Sequence, residues 1–379
     1  MMKWIARAVI IAAVAGLALS GQMQQGNAAF PGNNGKILFN GNRDGGNHEF
    51  YAMNPDGSDQ TNLTNSEAEE SRGSWSPDGF RIVFSRNAVG YNEIFVMNAD
   101  GSNIVQLTSI TGGGVGWQDY SPSWSPDGTR ITFSRWYSDS SQSDIFVMNA
   151  DGSALTNLTN TPANEDNPKW SPDGTRIAYT RERPGPYDIW MMNADGSNAV
   201  NLTGAFSGDQ GGPDWSPDGS KILFDSNLGA DRDIYVMNPN GSGVTNLTNA
   251  PGNDYFPAWS PDGKEIVFGS NRDGNVEIYV MNADGTNQED VSNSPGDDWG
   301  PDWQPLPVKA GDADCDGDVD AVDALQVLRR VAGLSSTGCV LRANVKCDDS
   351  LDAVDALQVL RSVAGLSVNL PGNCVAIGS

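Results

Sequence analysis

Trp75-Ser76-Pro77-Asp78-Gly79 is the first of five copies of one pentapeptide, and the other copies begin at Trp124, Trp170, Trp215 and Trp259. A degenerate copy, Trp303-Gln304-Pro305, ends the series. The tryptophans of consecutive copies are 44 to 49 residues apart. Repeats of this length are typical of propellers and solenoids, in which each repeat is one supersecondary unit. This repeat therefore decides the fold.

A short strand follows each copy, as in Arg81-Ile82-Val83-Phe84, because β-branched and aromatic residues alternate there. Pro fixes the first corner of a turn, Asp tolerates the second and Gly accepts a positive φ. Each copy also carries a Ser and an Asp that we expect to be exposed. We nevertheless interpret the motif as a turn between two strands and not as an active motif.

A second signature, Ile94 to Gly101 in its second copy, ends in an Asp-Gly or Asn-Gly pair that marks another hairpin. A short edge strand follows, such as Asn157-Leu158-Thr159, which gives four strands per repeat and so one propeller blade. Asn-Leu-Thr also fits the glycosylation sequon. Because it recurs in register with the repeat, the edge-strand interpretation is favoured.

The two ends of the array are incomplete in complementary ways. Residues 35–39 match the second strand of a repeat without a preceding turn motif, whereas Trp303 has no second strand after it. Joined in space, three N-terminal strands and one C-terminal strand complete a blade. The predicted fold is an all-β propeller of six blades with a small C-terminal α domain.

Residues 35–305, with their Trp-Ser-Pro-Asp-Gly, Met-Asn-Ala-Asp-Gly and Asn-Leu-Thr elements, resemble the β-propeller repeats of the TolB family. The resemblance implies a six-bladed propeller in the cell envelope or outside the cell. It also implies a protein-binding role.

The charge and the N-terminal sequence limit the classes of binding partner and the cellular location that we expect. The formal net charge of −25 and the pI near 4.1 argue against nucleic acid or an anionic membrane surface, both of which need a basic face. Lys3 and Arg7 precede a short apolar run at residues 8–19, which predicts a signal peptide over residues 1–29. A retained N-terminal anchor is the alternative. We expect a secreted or extracytoplasmic protein with no later membrane span.

The channel mouth is where we expect binding, because loops carry variable chemistry on a rigid frame. Two sets of loop residues are predicted to share that face, where they either hold a sugar or a basic partner loop or pair with each other in solvent. The first set is Glu69, Glu70, Asp119, Tyr120, Glu165, Asp166, Asp209, Asp254, Tyr255, Asp297, Asp298 and Trp299. The second is Arg43, Arg86, Arg135, Trp136, Tyr137, Arg181, Arg183, Arg232 and Arg272.

Catalysis has little support in the sequence. His48 is the only histidine and no Gly-x-Ser-x-Gly elbow is present, which disfavours a serine triad and excludes a site with several histidine ligands. Paired carboxylates, as in glycoside hydrolases, remain an alternative, although no pair stands out and no catalytic residue is assigned.

A linker at residues 306–311 precedes a loop with the oxygen-rich spacing that Ca²⁺ needs, with Gly317 at the sharp turn. A second, similar loop departs from the pattern at Lys346 and Asp349, so it is either weak or empty. The predicted ligands are Asp312, Asp314, Asp316, Asp318 (through its carbonyl), Asp320 and Asp323, then Asn344, Asp348, Asp352 and Asp355.

The duplicated loop and helix over residues 312–379 resemble a dockerin. The resemblance implies docking onto a cohesin-type partner through Ala321, Val322, Ala353, Val354, Arg329 and Arg361. The alternative is only a calcium-stabilised terminal module, which could close on the chain's own propeller. A helix of about ten residues keeps its ends roughly 15 Å apart, so a disulfide within one repeat is excluded. An antiparallel helix pair then predicts Cys315 with Cys374 and Cys339 with Cys347.

These features predict a secreted, non-catalytic binding or scaffold protein. Its propeller at residues 30–305 would engage a protein or a glycan, and its calcium-dependent tail would tether it to a larger assembly. The alternative is a polysaccharide-degrading glycoside hydrolase that uses carboxylates at the mouth.

Overall fold

The structure is a computed structural model that describes residues 32–43, 46–88, 90–109, 116–183 and 185–306. These residues form six four-stranded antiparallel sheets, here called blades I to VI. The predicted signal peptide, the predicted linker after Leu306 and the calcium-loop module lie outside the described residues. Every ligand, disulfide and docking residue predicted beyond residue 306 therefore stays a prediction, as do the domain boundaries.

The strands follow one pattern in every blade. Blades I to III contain β1 (Asn33–Gly41), β2 (Glu49–Met53), β3 (Thr61–Asn62), β4 (Glu70–Trp75), β5 (Arg81–Ala88), β6 (Tyr91–Asn98), β7 (Val105–Gln106), β8 (Trp117–Trp124), β9 (Arg130–Tyr137), β10 (Gln142–Asn149) and β11 (Thr156–Asn157). Blades IV to VI contain β12 (Glu165–Trp170), β13 (Arg176–Glu182), β14 (Tyr187–Asn193), β15 (Val200–Asn201), β16 (Gln210–Trp215), β17 (Ile222–Ser226), β18 (Asp233–Met237), β19 (Thr245–Asn246), β20 (Asp254–Trp259), β21 (Glu265–Ser270), β22 (Glu277–Asn282) and β23 (Glu289–Asp290). The last strand, β24 (Asp298–Leu306), returns to blade I.

The predicted closure is confirmed. Blade I has the strand order β24-β1-β2-β3, with Trp303 opposite Ile37 in an antiparallel ladder. The innermost strands β4, β8, β12, β16, β20 and β24 each contact the next, and β24 contacts β4, so they form a ring around a central channel. The chain ends are thus joined within one sheet.

The hydrophobic core lies between neighbouring blades. Trp124 and Phe133 of blade III pack against Val83 of blade II in one buried cluster. The Arg81 guanidinium lies 4.6 Å from the centre of the Trp124 ring, within the range of a cation–π contact. Arg130 over Trp170 and Arg176 over Trp215 repeat this contact at 4.5 and 5.2 Å. The repeat tryptophan therefore joins each of these blades to the preceding one.

The Trp-Ser-Pro-Asp-Gly turns form as predicted, and the N–H of Gly128 donates to the carbonyl of Ser125 at 2.8 Å. The expectation of an exposed serine is wrong. Ser125 is fully buried, its hydroxyl donates to Asp127 Oδ1 at 2.6 Å, and its Oγ accepts the N–H of Arg130 at 2.9 Å. The serine and aspartate therefore hold the turn.

The Asn-Leu-Thr segments fasten the edge strand, which confirms their structural interpretation. Asn157 Nδ2 donates to Asp144 Oδ2 at 2.9 Å, and Thr159 Oγ1 accepts the N–H of Ile145 at 3.0 Å. Asn201 and Asn246 bond Asp188 and Asp233 in the same way. The amide that a glycan would modify is engaged inside the blade.

Gly285 in the second turn of blade VI touches the preceding blade. Its φ is +86°, and a Cβ there would lie 2.5 Å from the carbonyl oxygen of Leu247. We expect Gly285→Ala to lower the free energy of unfolding by about 1 to 3 kcal/mol, since backbone strain and a backbone clash combine. Gly90→Ala is the control, because φ is +93° and nothing lies within 4 Å. Equal losses in urea unfolding would show that the blade contact is unimportant.

Candidate functional site

The channel wall has one irregularity that all six innermost strands share. Each carries a residue with φ between 48° and 56° three positions before its tryptophan, and each has a register shift against its neighbouring strand. Such bulges bend a strand and change the direction of side chains. The six residues are Arg72, Ser121, Asn167, Gly212, Phe256 and Gly300. Together they line the waist of the channel.

A cavity of about 890 Å³ opens above this waist. It brings together Tyr120, Asp166, Asp209, Arg232 and Tyr255, all of which were predicted to lie at the mouth. No motif in the sequence singled out its other prominent residues, which are Arg72, Tyr187, Asp225 and Phe256. Its size is that of a typical ligand pocket. The cavity is therefore the candidate functional site.

The acids at or near the start of five of the innermost strands do not line this cavity. Asp119 is fully buried, and its two oxygens accept hydrogen bonds from Nε and Nη2 of Arg135 at 2.7 and 2.8 Å. The same pairing recurs in Arg43–Asp298, Arg86–Glu70, Arg181–Glu165 and Arg272–Asp254. The expectation that these residues pair with each other is confirmed, whereas their placement in solvated loops is wrong. Four of these acids are the first residue of their strand, and Asp119 is the third residue of β8.

His48 and Glu69 form a pair at the surface, where His48 Nδ1 lies 2.5 Å from Glu69 Oε1. The side chains are 33% and 48% exposed. His48 is thus a polar loop residue beside an acid.

Blade V departs from the pattern of the other five. Gln210 occupies the position where the others have an acid, and Asp225 occupies a position that is otherwise Asn40, Ser85, Ser134, Thr180 or Gly269. Asp225 pairs with Arg232 and accepts the N–H of Phe256 at 3.1 Å. Blade V therefore carries its acid, Asp225, at a position that lines the cavity. This asymmetry makes the mouth of the channel chemically different from one side to the other.

Arg72 is the unusual cation of the channel. Its Cζ lies 3.9 Å from the centre of the Phe256 ring, and burial lowers the pKa of its guanidinium while Asp225 and Asp166 act in the opposite sense. Among the described residues, no carboxylate forms an ion pair with it and no side-chain or backbone acceptor takes a hydrogen bond from it. The guanidinium faces the cavity with its donors unused.

Asp166 lies on the same cavity wall. Burial raises its pKa, while hydrogen bonds from Ser143 and Ser134 and the charge of Arg72 act to lower it. Asp209 Oδ1 accepts the N–H of Tyr187 at 3.0 Å. The cavity therefore offers the Arg72 guanidinium, several carboxylate oxygens and the rings of Tyr120, Tyr187 and Tyr255.

The other end of the channel carries a small charge cluster of Lys169, Asp214 and Asp302. Lys169 Nζ lies 3.9 Å from Asp302 Oδ1. Asp302 Oδ2 accepts the N–H of Trp75 at 2.7 Å, and Asp214 Oδ2 accepts that of Trp259 at 2.8 Å. Each acid therefore ties its own blade to the next one, and burial raises the pKa of Asp214 to about 6.

The stability of the propeller should fall as pH rises from about 4 to 7. Burial raises the pKa of Glu70 to about 7 and that of Asp214 to about 6, from ordinary values of 4.5 and 3.8. The folded state then holds protons that the unfolded chain releases, so deprotonation costs stability in this window. Below it, surface acids such as Asp56, whose pKa is lowered by Ser58, reverse the trend.

Urea unfolding at pH 4.5 and 7.5, followed by tryptophan fluorescence, measures this effect. The fluorescence does not report on the C-terminal region, because no tryptophan follows Trp303 in the sequence. Asp214→Asn together with Glu70→Gln should flatten the profile. An unchanged slope in that double variant would contradict the assignment.

Within the described parts of the chain, no three His, Cys, Asp or Glu residues are grouped so that they could hold a metal ion. In the same residues, no helix has the length and apolar character needed to cross a membrane.

Comparison with known proteins agrees with this architecture. Residues 113–205 and 199–307, just over half of the chain, match the family described as TolB beta propeller domain. TolB from Acinetobacter baumannii has a TM-score of 0.60 at 21% identity, over 72% of this chain and 67% of that chain. A putative TolB from Agrobacterium tumefaciens has a TM-score of 0.55 at 22% identity, over 73% and 99%. A chain of a nidogen/laminin complex has a TM-score of 0.57 at 12% identity, over 71% and 98%. At these identities the solved structures support the fold alone.

Proposed function

The chain belongs to the TolB beta propeller domain family, and on that premise we propose that it is an extracytoplasmic, non-catalytic binding scaffold. Its propeller holds a protein or a glycan at the channel mouth. The observation that carries this proposal is the asymmetric cavity of about 890 Å³, lined by Arg72, Asp166, Asp225 and three tyrosines. Concave pockets with a few convergent polar groups on a rigid frame are where proteins bind ligands.

The division of charges supports binding over hydrolysis. Asp119, Glu165 and the three equivalent acids hold arginines inside the blades, so they have no access to a glycosidic bond. Asp166, Asp209 and Asp225 line the cavity, and Asp225 is paired with Arg232, so Asp166 and Asp209 are the acids that a hydrolase would have to use. Turnover of a polysaccharide that disappears in Asp166→Asn and Asp209→Asn would replace this proposal with the hydrolase alternative.

A glycan array and a pull-down from the native secretome, both with the purified full chain, test the binding role. Tyr255→Ala removes a partly buried ring of the cavity, whereas Phe80→Ala removes a 63% exposed ring in the turn between β4 and β5. We expect capture to be lost at least tenfold in the first variant and kept in the second. Equal capture by both variants would place binding outside the cavity.

The tail has a separate role in this proposal. Its first loop, with Asp312 and Asp323 at the ends, binds Ca²⁺ and orders a module that tethers the protein to a cohesin-type partner. Chelation of Ca²⁺ should abolish binding to the partner while tryptophan fluorescence of the propeller stays native. Asp312→Ala should reproduce chelation. Calorimetry that detects no Ca²⁺ binding to the full chain would refute the assigned loop.

A further inference from the structure

Arg72 differs from the arginines that lie near the same end of the channel. Arg43, Arg135 and Arg272 each hold a buried carboxylate at 2.5 to 3.0 Å. Arg72 instead stacks on Phe256 and has no acceptor among the described residues, although it lies in the wall of the cavity. Arg72 is half-buried, and its donors face the cavity instead of a protein acceptor. A ligand in the cavity would supply the acceptor that Arg72 lacks.

The geometry favours a carboxylate as that acceptor. A guanidinium binds a planar carboxylate through two parallel hydrogen bonds, and a stacked aromatic ring leaves its donor edge free for them. Asp166 and Asp225 exert a negative field on the same site, so they disfavour a ligand with two or more charges, such as phosphate. We therefore expect a ligand that presents a single carboxylate to Arg72.

The rest of the cavity indicates what surrounds that carboxylate. Asp166 and Asp209 provide acceptors for hydroxyl groups, and Tyr120, Tyr187 and Tyr255 provide rings for a flat apolar face. Gly212 brings the backbone of blade V close to the Asp225 carboxylate, since a Cβ there would lie 2.8 Å from Asp225 Oδ2. A pyranose ring has both the hydroxyl groups and the apolar face that such a site accepts.

We infer that Arg72 anchors the carboxylate of a sugar acid, with the sugar ring held between the tyrosines and the acids of the cavity. The inference rests on the proposed binding role of the channel mouth and specifies its ligand. Burial lowers the pKa of the Arg72 guanidinium, and the charges of Asp225 and Asp166 oppose that shift.

Two sugars that differ only in the carboxylate test the inference. Cellobiouronic acid and cellobiose are titrated into the full chain, and we expect the acid to bind at least tenfold more tightly. Arg72→Gln should remove this preference and leave the two affinities equal, while Arg72→Lys should keep part of it. Arg81→Gln is the control, since Arg81 stacks on Trp124 between two blades. It should bind as the unaltered protein does.

Equal affinities for the two sugars in the unaltered protein overturn the inference, as does a preference that survives in Arg72→Gln. If Arg72→Gln does not fold, the sugar pair and Arg72→Lys still decide. A peptide pair, acetyl-Gly-Asp-Gly-amide and acetyl-Gly-Asn-Gly-amide, tests whether the site instead binds the carboxylate of a protein side chain. Preference for the Asp peptide without preference for the sugar acid overturns the assignment to sugars. Capture of a neutral glycan that depends on Tyr255 would sustain the binding role while rejecting this ligand.

Discussion

Replacing Trp303 with alanine should lower the free energy of unfolding of the whole propeller by about 3 to 5 kcal/mol. Trp303 is 3% exposed and packs in one buried cluster with Ile37 of blade I and Val267 of blade VI. Its strand, β24, joins the two ends of the propeller. The cavity left by the substitution would therefore weaken the blade that closes the ring.

Trp215→Ala is the matched comparison for this prediction. Trp215 is 4% exposed and belongs to a blade built from one continuous segment of the chain. If the closing blade is as integral as the others, both variants should lose similar stability in a single cooperative urea transition. A small effect at Trp303 beside a large one at Trp215 would mean that β24 contributes little.

Arg135→Ala should cost about 3 to 5 kcal/mol, because it leaves the fully buried Asp119 without its partner. The guanidinium also lies 4.9 to 5.5 Å from the ring centres of Trp117, Phe146 and Phe133, so packing is lost as well. Urea unfolding of the variant measures the loss.

Two further variants separate charge from packing at this pair. Arg135→Met with Asp119→Leu should recover much of the stability, since no buried charge remains unpaired. Lys264→Ala, which removes a partner of Asp262 from an 81% exposed position, should change stability by less than about 1 kcal/mol. A loss in the double variant as large as in Arg135→Ala would contradict the electrostatic explanation.

The framework of the propeller could be predicted because its signals are local. The Pro-Asp-Gly turn after Trp75 and the Asp-Gly turn after Met97 depend on a few consecutive residues, and their recurrence defined four strands per blade. The incomplete ends gave the closure between β1 and β24. The Asn-Leu-Thr segments were assigned to edge strands for the same reason.

The chemistry of the channel could not be predicted in the same way, since it depends on which residues of different blades meet. From the sequence we predicted that Asp119 and Arg135 lie at the same end of the channel. Their burial as a pair, however, depends on the register of β8 and β9. Arg72 has no distinguishing motif, and its position matters only after six bulged strands surround one axis. The shift of an acid from the position of Gln210 to Asp225 becomes visible when the six blades are aligned.

Hydrogen exchange of the full chain, with and without the ligand found by the binding screen, tests most directly whether the channel mouth is the functional site. Ligand binding should slow exchange in segments of β8, β12 and β20, which carry Tyr120, Asp166 and Tyr255. Exchange in the outer strands β7 and β15 should stay unchanged. Protection confined to those outer strands would contradict the account.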